Sequence, residues 1–173
     1  VYGKDLYQTQ TVFKYPKAGE TNALVSLHTF NLDTKTLTKV SFDKAYDDFY
    51  IPRIKWTKDA NILSAQLTNR HQNELDLWLI NTKTNSNKLV VEEKDEAYVD
   101  VTDNLTFLND NSFIWTSEKD GFNHIYHYNK KGALINQVTT GNWEVTNYYG
   151  YDAKTKRIFY QSVENGSINR DVY

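Results

Sequence analysis

The sequence predicts an all-β chain, a partial β-propeller made of four-stranded antiparallel blades, on three observations. Short runs rich in aromatic and β-branched residues recur along its length. Polar turns built on Asp, Asn and Gly separate them. The aspartates of equivalent turns also repeat, with 51 residues from Asp59 to Asp110 and 42 from Asp110 to Asp152. A period of about 40–50 residues holding four short strands is that of a propeller blade. A β-sandwich also has short strands at regular spacing, but the repeated order of aromatic run, turn, aspartate and strand favours the propeller.

Residues 1–22 form a polar, tyrosine-containing arm, extended over Thr9 to Phe13 and ending in the turn Tyr15-Pro16-Lys17-Ala18-Gly19. Residues 23–42 supply the end of one blade. Leu24 to Asn31 reads as a strand partly buried on both faces, and Asp33 to Thr36 turns it into Leu37 to Phe42. Residues 48–92 make a whole blade with strands Phe49 to Trp56, Ile62 to Thr68, Leu75 to Asn81 and Lys88 to Glu92. Residues 98–139 make the next, with Val101 to Phe107, Ser112 to Ser117, His124 to Tyr128 and Leu134 to Val138. Its central turn carries Asp120-Gly121, which supplies the positive φ of a tight hairpin. Residues 143–173 form an incomplete blade of Trp143 to Tyr151, Arg157 to Gln161 and Arg170 to Tyr173. Closed propellers carry about four to eight blades, so this count implies further blades elsewhere.

The 173 residues carry a net charge of −2 with acids and bases interleaved, which gives no footprint for nucleic acid or an anionic membrane. The absence of cysteine removes disulfides, thiol catalysis and thiolate-bound zinc. No run is long and apolar enough to span a bilayer. The chain opens on Val1 without an export-type segment, so its first residue is read as an excision point.

Five segments resemble the N-terminal propeller of the dipeptidyl peptidase IV family, bacterial type. They are YPKAG (15–19), IPRIKWTKD (51–59), LTNRHQN (67–73), FLNDNSFIWTSEKDGFNHIYHY (107–128) and TTGNWEV (139–145). The resemblance implies an eight-bladed propeller seated over an α/β-hydrolase domain of the same chain. The family it points to is of serine peptidases that release Xaa-Pro or Xaa-Ala dipeptides from peptide N-termini, as homodimers, without a cofactor, in the periplasm, cell envelope or secreted space. The catalytic Ser, Asp and His of that family belong to the hydrolase domain. No GxSxG elbow occurs in this sequence, Gly166-Ser167 being the nearest approach, so this stretch is expected to be inert by itself. A non-catalytic binding propeller and another clan member, such as an acyl-peptide hydrolase, are the alternatives.

Tyr98 and Asp100 stand where the family lines its substrate pocket with an aromatic and an arginine, although no arginine is present here. Tyr2, Leu6, Tyr7, Val12 and Phe13 lie on the arm that joins two subunits in the family. Glu92-Glu93 invites comparison with the family's paired glutamates that hold the substrate amine, but it follows a strand and reads as a solvated turn. His124 and His127 are three apart on a strand, face opposite ways and cannot share a metal; His28 and His71 stand alone. Arg53 and Arg70 are expected to pair between blades with Asp47, Asp48, Glu74 or Asp76. Asn104-Leu105-Thr106 and Asn165-Gly166-Ser167 fit the glycosylation pattern. Cut blade faces predict self-association of the isolated stretch.

Overall fold

The computed structural model describes residues 6, 7, 9–15 and 17–173. Among them every regular element is a strand. β1 (His28–Asn31) and β2 (Thr36–Lys39) form a two-stranded sheet. β3 (Phe49–Trp56), β4 (Ile62–Asn69), β5 (Glu74–Asn81) and β6 (Asn87–Lys94) form a four-stranded meander. β7 (Thr106–Phe107), β8 (Phe113–Ser117), β9 (His124–Tyr128) and β10 (Leu134–Gln137) form the next. β11 (Val145–Asp152), β12 (Arg157–Ser162) and β13 (Asp171–Val172) form a three-stranded sheet. All pairings are antiparallel and join sequence neighbours.

The hairpins close by a repeated local rule. Asp59, Asp110 and Asp152 each end the first hairpin of a sheet by accepting the N–H two residues on, at 2.9, 3.0 and 2.9 Å. Asn31, Asn81 and Asn129 do the same in the last hairpin, at 2.9, 3.0 and 2.8 Å. A short side chain that mimics a backbone turn reverses the chain without help from the rest of the fold. Those later hairpins then each place a residue at positive φ, namely Lys35, Asn85 and Gly132.

Apolar residues alternate along the central strands so that each of the two four-stranded sheets serves two cores. On β5, Trp78 and Ile80 face a core shared with Val40, Ala65 and Leu67, while Leu75 and Leu77 face the opposite one. That second core joins Val90 and Val91 of β6 to Phe107, Phe113, Trp115, Tyr126 and Tyr128 of the following sheet. On β8, Ile114 turns the other way, to a third core with Ile125 and Val145. Sheets stacked face to face in sequence order are blades of a partial β-propeller.

Several predicted strands are shorter than expected, among them Leu37 to Phe42, which is observed as Thr36–Lys39. In Leu24 to Asn31 only His28–Asn31 pairs, because β1 has a single neighbour and Leu24 stays exposed. Of Val101 to Phe107, only Thr106–Phe107 joins the ladder. The remainder is held by other partners: Thr102 Oγ1 accepts the Asn104 N–H at 3.1 Å, and the Arg53 Nη2–H reaches Asp103 at 3.1 Å. Side-chain bonds of this kind compete with strand pairing. The final strand is confined to Asp171–Val172.

Candidate functional site: a cleft among three blades

A cleft of about 880 Å³ opens where the segment leading into β7 meets the end of β6, the β8–β9 turn and the start of β11. Tyr98 and Asp100 both line it. Tyr98 is half exposed, at 51%. The Asp95 carboxylate accepts the Ala97 N–H at 2.7 Å and the Tyr98 N–H at 3.4 Å, shaping the turn that presents the ring. The β4–β5 turn holds this segment from the other side. Asp95 N–H donates to Asn73 O at 3.0 Å and Val99 N–H to Gln72 O at 2.9 Å. The Tyr98 hydroxyl donates to Gln72 Oε1 at 3.2 Å.

Across the cleft, the Lys119 ammonium donates to the Tyr128 hydroxyl at 2.7 Å and lies 3.8 Å from the Tyr126 ring centroid. Lys119 is exposed, and the ring face beneath it and the phenol beside it favour this placement of its cation. Carboxylates dominate the remaining polar wall. The Glu118 carboxyl is pushed up by burial and by the charges of Asp100, Glu144 and Asp95.

Glu92 and Glu93 are part of β6 and do not form a solvated turn. They pair in regular register with Asp76 and Leu75, beyond a bulge opposite Leu77 and Trp78, so as strand neighbours they point to opposite faces. Glu92 meets Lys44 at 3.0 Å on one side, while Glu93 Oε1 accepts the Trp115 indole N–H at 2.8 Å on the other. Side chains so divided cannot grip one amine together. Burial, the largest effect, pushes the Glu93 carboxyl up, against hydrogen bonds from Ser117 and Trp115. The folded state thus favours its protonated form. Its contribution to stability is fully present in acid, below the unfolded carboxyl's range, and is lost as pH rises through the raised value. Glu93→Gln keeps an acceptor for Trp115 and removes the buried charge. It is expected to raise Tm at pH 7 and to leave Tm unchanged near pH 3. A lower Tm at pH 7 would show that the charge stabilises the fold.

Glu74, Asp76 and Glu92 bring carboxylate oxygens within 4.8 Å of one another. The Lys44 ammonium occupies the centre, 2.9 Å from Asp76 and hydrogen-bonded to Glu74. Burial opposes its charge, and the Asp76 and Glu92 carboxylates outweigh that and hold its pKa above the ordinary value. The Tyr46 hydroxyl also bonds Asp76 and receives the Trp78 indole N–H at 2.8 Å. An internal ammonium therefore stands where a metal ion would.

Two of the four histidines are occupied structurally, while His28 and His71 are exposed. His124 is fully buried, with Nδ1 2.9 Å from Thr139 Oγ1 and Nε2 3.0 Å from Gly141 O. His127 Nε2 lies 2.9 Å from Ser112 Oγ, which is itself 2.6 Å from Asp110 Oδ1. Asp, Ser and His thus meet, but the aspartate holds the serine and does not orient the histidine, so the arrangement locks a turn and does not prepare a nucleophile. Arg53 pairs with Asp103 and not with the expected acids, because the segment before β7 lies alongside β3. Arg70 meets Asp48 at 4.0 Å and donates to the Tyr50 hydroxyl at 2.9 Å. Asn104 Nδ2 is 3.2 Å from Thr116 Oγ1, and Asn165 Nδ2 is 3.0 Å from both Asp171 and Tyr173.

On the arm, Leu6, Tyr7, Val12 and Phe13 are exposed to at least 75%. Tyr2 lies outside the described residues. Sequence reasoning missed Gln72, Glu118, Lys119 and Glu144; they lie in three of the segments that carry the resemblance, and the stacking of neighbouring sheets brings those segments together. No helix is long and apolar enough to cross a membrane among the described residues.

The whole chain, residues 1–173, matches the family model described as dipeptidyl peptidase IV (DPP IV) N-terminal region. The crystal structure of Porphyromonas gingivalis dipeptidyl peptidase 4 superposes with a TM-score of 0.89 at 41% identity, over 99% of this chain and 24% of that one. A probable dipeptidyl-aminopeptidase B of Phaeosphaeria nodorum is 28% identical over 99% of this chain and 20% of its own length. An inactive dipeptidyl peptidase 10 of Mus musculus is 29% identical over 97% of this chain and 22% of its own. The chain thus spans between 20% and 24% of these relatives. By sequence over its full length and by fold, the chain belongs to the dipeptidyl peptidase IV N-terminal region family.

Proposed function

We propose that this chain is part of the substrate-gating propeller of a serine dipeptidyl peptidase that releases N-terminal Xaa-Pro or Xaa-Ala dipeptides. In this reading its blades (48–92, 98–139 and 143–173) belong to an eight-bladed propeller. That propeller walls off the cavity of an α/β-hydrolase domain in the same full-length protein and admits short, flexible peptide ends. Tyr98 and Asp100 line the substrate side, and the chain itself carries no catalytic residue and needs no cofactor. The protein works in the periplasm, cell envelope or secreted space of a bacterium. The observation that carries the proposal is the 0.89 TM-score match to Porphyromonas gingivalis dipeptidyl peptidase 4, joined to a cleft that contains Tyr98 and Asp100.

The test is hydrolysis of a Gly-Pro chromogenic amide by the full-length protein and by this chain alone. Activity only in the full-length protein is expected, and activity in the chain alone would overturn the assignment. In the full-length protein Tyr98→Ala is expected to raise KM about three- to tenfold with kcat held, the size of one lost aromatic contact. An unchanged KM removes Tyr98 from the pocket. A non-catalytic propeller is the second reading, favoured by the 29% identity to the inactive mouse relative; silence of the full-length protein would bring it forward.

We also assign the arm, Tyr2, Leu6, Tyr7, Val12 and Phe13, to a homodimer contact, since exposed aromatics anchor interfaces. Replacing Tyr7 and Phe13 with Ser in the full-length protein is expected to give monomers by light scattering; an intact dimer would refute the assignment.

A further inference from the structure

We propose that Gln72 is a positioning residue that fixes how Tyr98 faces the cleft, so that the ring and not the hydroxyl proton is offered to a bound peptide. This inference rests on the substrate-pocket reading of Tyr98 and extends it to a residue in a different blade.

Gln72 sits in the β4–β5 turn at φ 56, a left-handed conformation uncommon outside glycine and asparagine. Its N–H bonds Asn69 O at 3.0 Å, which holds that conformation. From there it contacts the cleft segment twice. Its carbonyl accepts the Val99 N–H at 2.9 Å, and its side-chain Oε1 accepts the Tyr98 hydroxyl at 3.2 Å. The first contact sets the backbone beside Tyr98, and the second sets the end of the ring. A phenol has one proton to donate. With that proton directed at Gln72, Tyr98 presents its aromatic face and a hydroxyl lone pair to the cleft. It has no proton left to give a peptide carbonyl. A ring tethered at both ends also loses little rotamer freedom when a ligand arrives.

The test uses the full-length protein, with KM and kcat for a Gly-Pro amide and the inhibition constant of the product dipeptide Gly-Pro. Gln72→Asn tolerates the left-handed backbone and is too short to reach the phenol, whereas Gln72→Glu retains an acceptor at the original length. Gln72→Asn is expected to raise KM and the inhibition constant together, roughly two- to tenfold as for one lost hydrogen bond, with kcat unchanged. Gln72→Glu should restore both. Tyr98→Phe should match Gln72→Asn, and the double variant should be no worse than either alone, because both remove the same bond. Additive losses, or a Gln72→Asn protein with the parent KM, would overturn the inference. If Tyr98→Ala leaves KM unchanged, the substrate-pocket reading fails first and this inference falls with it. A defect in Tyr98→Ala combined with a silent Gln72→Asn sinks the inference alone.

Discussion

Gly132→Ala is expected to destabilise the protein by about 3 kcal/mol or more, combining backbone strain with a steric collision. Gly132 lies in the β9–β10 turn at φ 86, where an L side chain is strained. A Cβ there would stand 2.1 Å from the Val90 carbonyl oxygen and 2.8 Å from its carbon, both backbone atoms of the preceding blade. Backbone of a packed strand has no rotamer through which to yield, so the two blades must separate locally. Gly121→Ala provides the control. Gly121 also has positive φ, at 100°, but a Cβ there meets nothing within 4 Å. Its cost should be strain alone, about 1 kcal/mol. Thermal unfolding of the two variants therefore isolates the contact between blades. Gly132→Ala should lower Tm by roughly 6–12 °C, against about 2–4 °C for Gly121→Ala. Equal shifts would mean that the close approach to Val90 is relieved without cost.

Trp115→Ala is expected to be at least as damaging, about 3–5 kcal/mol, as for other fully buried large-to-small changes. Trp115 is 0% exposed in the core shared by the two four-stranded sheets. Its loss removes both indole packing and the indole N–H that Glu93 of the other blade accepts at 2.8 Å. Trp115→Phe separates these effects. The phenyl ring refills most of the volume but leaves the sheltered Glu93 carboxylate without its N–H donor. That variant should lose about 1–3 kcal/mol at pH 7, and recover part of this in acid, where the carboxyl is protonated. A Trp115→Phe deficit that does not vary with pH would show that packing alone accounts for it.

The turns were legible in the sequence because they are closed locally. Asp59, Asp110 and Asn129 bond the residue two places on, so the meander and its period could be read from one strand to the next. Phe49–Trp56 and His124–Tyr128 accordingly have the predicted ends. Val101 to Phe107 failed because Arg53, 50 residues away, engages Asp103, and no local pattern announces a partner at that distance. Glu92-Glu93 was misread because its charge suggested a turn, while regular pairing with Asp76 and Leu75 continues β6 through both residues and turns them to opposite faces. Tyr98 and Asp100 were legible only through family resemblance. Gln72 and Lys119 lie in segments that carry the resemblance, LTNRHQN and FLNDNSFIWTSEKDGFNHIYHY, but nothing local marks their place, since the cleft they border exists only after neighbouring sheets have stacked.

Sheets that share each core with a sequence neighbour also set an order of assembly. A blade emerging during synthesis cannot bury both of its faces until the blade after it has followed. Each new sheet completes the one before it and leaves a fresh apolar face waiting. Trp78 and Ile80 can be covered once β5 has formed against the residues preceding β3, whereas Leu75 and Leu77 on the same strand must wait for β8 and β9. Growth of the folded structure is thereby vectorial, with one strand taking part in two successive steps. A pause in translation between β6 and β7 would leave half of β5 protected and the other half open to chaperones.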